Sequence, residues 1–128
     1  MKNTVISMQN TLLSEAIARA LLDTGEFRVE QILPGKTGNT LPICRAMRAE
    51  ILLMEVSRLS AYTLQERLKL TSEVRAAIAG CKFVLLCDEN SDAELAQQVK
   101  IARQDRKIDA FFYTSVTPGY LTAARDAL

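Results

Sequence analysis

Four apolar residues, Ile51 to Met54, run directly into Glu55, which places a carboxylate where a buried strand should end. A carboxylate in that setting can act as a nucleophile, handle phosphate or bind a cation, or it can be the remnant of a group that once did. The run "CKFVLLC", Cys81 to Cys87, repeats the pattern and is followed by Asp88 and Glu89. On adjacent strand ends, Glu55 with Asp88 or Glu89 would offer two or three carboxylates to Ca²⁺ or Mg²⁺. Other chemistry is excluded more firmly. The chain has no histidine, which removes histidine-based triads and most zinc sites. The three cysteines, Cys44, Cys81 and Cys87, form no Cys-x-x-Cys pair. "GKT" at Gly35 to Thr37 lacks the upstream glycine of a phosphate-binding loop, since Glu30 stands there, so it reads as a turn.

The elements that must position these residues alternate in period. Thr4 to Met8 is a short β-prone run, and Leu12, Leu13, Ala16, Ile17, Ala20 and Leu21 then recur at helical spacing, with Thr11 as N-cap and Gly25 as stop. Phe27 to Leu33 alternates like a strand with one partly wet face. "PGKTGN" supplies a turn, and a helix is expected over Thr40 to Arg48. The buried strand Glu50 to Val56 follows, then a helix over Tyr62 to Ala79 with Leu64, Leu68, Thr71, Val74 and Ile78 as its core stripe. Cys81 to Cys87 is the fourth strand. Ser91 and Glu94 have capping-box spacing for the next helix, "AFFYTSV" is a fifth strand, and Pro118 opens a last helix with Leu121, Ala124 and Leu128 on one side.

Strict β-α alternation with fully apolar middle strands predicts a parallel sheet covered on both faces. Five strands are too few for a barrel, so the expected fold is a flavodoxin-like, doubly wound five-stranded sheet of order 2-1-3-4-5, spanning residues 1–128 as one domain. Ligand chemistry in such a sheet sits at the carboxyl ends of strands one and three, where Met8, Gln9, Asn10 and Glu55 fall. "MQNTLL" contains no glycine with which to cradle a flavin phosphate.

The 16 Lys plus Arg residues nearly balance 15 Asp plus Glu, and the basic residues, Arg67 and Lys69 among them, are scattered between carboxylates. They read as solvated helix faces, with no nucleic-acid footprint. No apolar run approaches the roughly 20 residues of a membrane span. Free thiols and the absence of a signal-peptide core place the protein in the cytoplasm.

Along its whole length the chain resembles a response-regulator receiver (CheY-like) domain. "ILLMEVSRLS" is similar to that family's third strand and acceptor loop, "FVLLCDEN" to its fourth strand, and "DAFFYTSVTPGYLTAARDAL" to its fifth strand and last helix. The resemblance places the phosphoacceptor on Glu55, the acidic pair on Met8 and Gln9, the Thr/Ser switch position on Cys87, the lysine on Thr114 and the aromatic switch on Phe111. Each departs from the family's functional residue except the aromatic. A thioether and a neutral amide do not replace two carboxylates around Mg²⁺, and without metal or lysine a transferring phosphoryl group has no stabiliser.

The implied protein is a degenerate receiver, not an enzyme, with no cofactor and no metal: a phosphorylation-independent interaction module of a bacterial signalling or transcription-regulating protein. Its partner would be another protein, a second copy, or an output domain outside this chain, met through helix four, strand five and the last helix. Lys100, Arg103, Arg106, Asp109 and Tyr120 lie on that face, and Phe111 is either part of it or core. Three alternatives remain open. Glu55 could imitate a phosphorylated aspartate, the crevice could bind a cofactor or divalent cation, or the chain could be a conventional receiver with unusual ligands. As a remnant, Glu55 has Asp88 as its nearest expected charge, and Glu55→Gln is expected to be neutral or stabilising.

Overall fold

The structure is a computed structural model, and it describes residues 1–88 and 92–115. Strands β1 (Lys2–Ser7), β2 (Phe27–Ile32), β3 (Ile51–Glu55), β4 (Lys82–Cys87) and β5 (Ala110–Tyr113) alternate with helices α1 (Thr11–Asp23), α2 (Thr40–Met47), α3 (Leu64–Ala77) and α4 (Ala93–Gln104). The strands form one parallel sheet in the order β2-β1-β3-β4-β5, the doubly wound, flavodoxin-like arrangement expected from the alternation. The expected last helix, with Pro118 and Tyr120, lies outside the described residues, as do Glu89 and Ser91.

Consecutive strand residues point to opposite faces, and here both faces are covered. Val5, Leu52, Met54, Phe83, Leu85 and Cys87 pack with Cys44, Val74, Leu95 and Val99 in one core. Ile6, Met8, Leu53, Val84 and Leu86 pack with Ile17, Ala18 and Leu21 of α1 in the other. Burial on both sides is why the β3 and β4 sequences read as continuous apolar runs. β2 is an edge strand and keeps the charged Arg28 and Glu30 along it, which discourages pairing with another chain.

The helix boundaries differ from the expected ones by one or two residues, and the caps show why. Asn10, not Thr11, caps α1: its side chain accepts from the Leu13 amide. Thr63 caps α3 by accepting from the Glu66 amide, which leaves Tyr62 in the preceding loop. Asp92 caps α4 by accepting from the Leu95 amide, one position later than the expected Ser91. Gly25, with φ of 74°, directly follows the C-cap of α1, where a left-handed residue ends the helix, and Gly80, with φ of 85°, turns the chain into β4 two residues after the extended C-cap Ile78 of α3.

Candidate functional site at the strand ends

β1 and β3 end side by side, with Ser7 opposite Met54, so the loop after β1 and the Glu55 side chain meet. The Glu55 carboxylate accepts two main-chain hydrogen bonds through one oxygen, from the Gln9 amide (2.8 Å) and the Asn10 amide (3.0 Å). It therefore ties the β1–α1 loop to the end of β3. Hydrogen bonds to an ionised acceptor are roughly twice as strong as neutral ones, so the carboxylate has structural work that the sequence did not disclose.

The second charge of the site is Arg67. Only 1% of it is exposed, and it is the largest fully buried side chain among the described residues. Its guanidinium bridges the two strand ends. Nε donates to the Glu55 carbonyl (2.9 Å), one terminal nitrogen donates to Ser7 Oγ (3.0 Å) and the other to the Ser7 carbonyl (2.9 Å). The Tyr62 ring lies against the same guanidinium, 4.7 Å from ring centroid to Cζ, a favourable cation–π distance. Burial lowers the Arg67 pKa to about 10, while Tyr62 and Glu55 oppose the shift. The group remains cationic at neutral pH. Burial raises the Tyr62 pKa, with Arg67 opposing and Glu55 assisting.

The sequence reading had placed Arg67 among solvated basic residues, and the structure corrects this. The signal was available: Leu64, Arg67, Thr71, Val74 and Ile78 are spaced by three, four, three and four, so Arg67 sits on the core-facing stripe itself. The charge coupled to Glu55 is this arginine. Arg58, a second possible partner of Glu55, instead forms a two-pronged ion pair with Asp92 and reaches Glu94 at 3.7 Å. That pair joins the β3–α3 loop to the cap of α4, raises the Arg58 pKa and lowers that of Asp92.

The remaining expected positions divide clearly. Met8 is 1% exposed and belongs to the α1-side core, while the Gln9 and Asn10 side chains are exposed. Cys87 is buried, and its carbonyl accepts from the Thr114 amide. Phe111 is half-buried against the core and meets the Tyr113 ring edge-on at 5.8 Å, so it is chiefly a packing residue. Lys100, Arg103 and Arg106 are exposed on and just after α4. Asp109 does not join them as a free surface charge: its carboxylate accepts from the Phe83 amide (2.8 Å) and lies 4.0 Å from Lys82 Nζ, fastening β5 to the start of β4. Tyr120 lies outside the described residues.

Among the described residues the strand ends offer a divalent cation few side-chain ligands. Met8 contributes no oxygen, Glu55 Oε1 is already held by two amides, and among the described residues no three His, Cys, Asp or Glu side chains converge. Two of the three thiols are kept protonated by burial, which pushes Cys44 up to about 12 and Cys81 up to about 11, far from thiolate formation at neutral pH.

Comparison with known proteins begins with two blanks. No family model matches the chain, and no curated protein matches it. Solved structures do match over nearly the whole length. A response regulator receiver domain protein (CheY-like) from Methanospirillum hungatei JF-1 is 17% identical with a TM-score of 0.74, covering 98% of this chain and 91% of that one. A DNA-binding response regulator of the LuxR family from Staphylococcus aureus is 10% identical with a TM-score of 0.74, covering 98% and 97%. A response regulator protein from Burkholderia pseudomallei, with a phosphorylated aspartic acid and a calcium ion, is 17% identical with a TM-score of 0.67, covering 97% and 66%. At these identities the shared property is the fold, which is that of a receiver domain. No helix among the described residues is long and apolar enough to cross a membrane.

Proposed function

We propose that the chain is a degenerate receiver: a non-enzymatic, phosphorylation-independent protein-interaction module of a bacterial signal-transduction or transcription-regulating protein, acting in the cytoplasm. One observation carries this reading. The carboxylate at the acceptor position is bound to the Gln9 and Asn10 amides, and the strand ends beneath it are joined by the buried Arg67. In this reading a buried internal cation, bonded to the Glu55 and Ser7 carbonyls and coupled through space to the Glu55 carboxylate, stands beneath the acceptor position. With both fixed charges satisfied from within the chain, the resting geometry has no further need of a phosphoryl group.

Output then belongs to the α4 side, where Lys100, Ile101 and Arg103 are exposed beside Tyr113 of the edge strand β5. A second copy or another protein is the expected partner, and the DNA-binding character of the similar Staphylococcus aureus protein supports a link to transcription. Intact-mass measurement after incubation with acetyl phosphate and Mg²⁺ tests the proposal. The mass should not change, and a stoichiometric phosphoryl adduct would overturn it. Reversing charge at Arg103 and Arg106 together should weaken any self-association seen by ultracentrifugation.

A further inference from the structure

At the opposite, amino end of the sheet a cavity of about 510 Å³ opens between the end of α2 and the end of α3, lined by Arg45, Arg48, Ala49, Glu50, Ala77, Ile78, Ala79 and Gly80. Its size falls within the roughly 300–1,000 Å³ of small-molecule sites. Arg45 and Arg48 are exposed at its rim, and among the described residues neither guanidinium has an ion pair or hydrogen bond. The one acid in the lining, Glu50, is turned to another task, since its carboxylate accepts from the Asn3 amide at 3.0 Å. The cavity therefore carries two guanidiniums against one carboxylate, and neither arginine is ion-paired with that carboxylate.

Its wall is suited to the rest of a ligand. Ala49, Ala77, Ala79 and Gly80 present short side chains or none, and Ile78 adds an apolar patch. Of the last α3 carbonyls, Val74 accepts from the Ile78 amide, and those after it lack intrahelical partners by position. Arg48 is held in the left-handed region, φ 52° and ψ 60°, at the C-cap of α2, a place where glycine or asparagine costs less. A cation near a helix C-terminus is favoured by the helix dipole. That accounts for a charge on the axis of α2 but not for a second guanidinium beside a cavity whose one acid, Glu50, is paired with neither arginine.

We infer that this cavity is a binding site for a small organic anion, with a phosphate or carboxylate held by Arg45 and Arg48 and an apolar body resting on the Ala49, Ala77–Gly80 wall. The two guanidiniums match the planar oxygen pairs of either anion. The site is separated from Glu55 by the full length of β3, so it stands independently of the proposed function.

Amide NMR titration of the full chain with adenosine monophosphate, benzoate and inorganic phosphate, each alone, tests the inference and separates the two anion types. Adenosine monophosphate or benzoate should give saturable shifts centred on residues 45–50 and 77–80. Removing either arginine should weaken binding by about tenfold, and Arg45→Ala with Arg48→Ala by about a hundredfold, the loss of one charged hydrogen bond each. Ala79→Glu, which sets a carboxylate in the lining without removing an arginine, should also abolish binding. No saturable shift with either organic anion would overturn the inference. So would undiminished affinity in the double variant, or inorganic phosphate binding as tightly as the organic anions.

Discussion

At the carboxyl end of the sheet the Glu55 carboxylate and the Arg67 guanidinium are both bound to main-chain groups of β1, β3 and the loop after β1. At the amino end Arg45 and Arg48 border a cavity whose one acid, Glu50, accepts from the Asn3 amide and pairs with neither of them. The same fold thus closes one end with its own charges and leaves the other unsatisfied. Where a fixed charge already has strong internal partners, an external ligand must displace them. Where it has only water, a ligand has merely to replace water. At the carboxyl end, the usual place for chemistry in a doubly wound sheet, these bonds also join β1 to β3.

Loss of the arginine should break this contrast most severely. Arg67→Met keeps the buried volume but leaves the Ser7 and Glu55 carbonyls without a donor, so urea unfolding should show a loss of about 3–5 kcal/mol. Arg67→Lys keeps a charge without the three-pronged geometry and should fall between this variant and the wild type. If Arg67→Met unfolds at the wild-type midpoint, the guanidinium is not the joint.

Glu55 comes next. Glu55→Ala orphans the Gln9 and Asn10 amides and should cost about 1–3 kcal/mol. Glu55→Gln retains an oxygen acceptor without the charge, so about 1 kcal/mol is expected. This replaces the sequence-based expectation that the glutamine variant is neutral or stabilising. That expectation took Asp88 as the nearest charge and had no knowledge of the two amides. A smaller effect separates the caps: Asn10→Ala should cost about 1 kcal/mol of stability, whereas Thr11→Ala should cost little.

The gentlest perturbation is acid. The Arg58 hydrogen bond holds the Asp92 pKa below its ordinary value, so the unfolded chain takes up the proton first as pH falls. The contribution of Asp92 to stability is fully present above the unfolded value, about 3.9, and disappears as pH drops through the folded one. The protection of the Leu95 and Ala96 amides, relative to their intrinsic exchange rates at each pH, should fall in that window. High salt should reproduce part of the effect, because the pair is exposed.

Most of the architecture was legible because it follows from apolar period: strand order, both cores and the position of Glu55 at a strand end all come from runs such as "ILLME" and "KFVLLC". What escaped depends on contacts between distant segments. Arg67 was read by its type, although its place on the Leu64–Ile78 stripe marked it as inward. Asp109 was read as a surface charge because nothing local reveals that it bonds to Phe83, 26 residues earlier. The Asn10 cap was missed by one position, since Asn10 and Thr11 are both good N-cap types and only backbone geometry distinguishes them.

In the proposed function Glu55 stands at the acceptor position with its carboxylate already held by the Gln9 and Asn10 amides. Amide NMR of the ¹⁵N-labelled protein with Mg²⁺ and beryllofluoride, an analogue of the phosphoryl group, tests it most directly. The account predicts that the Gln9, Asn10 and Val56 resonances keep their positions at saturating reagent. A saturable shift at those three amides, spreading to Thr114 and α4, would contradict it.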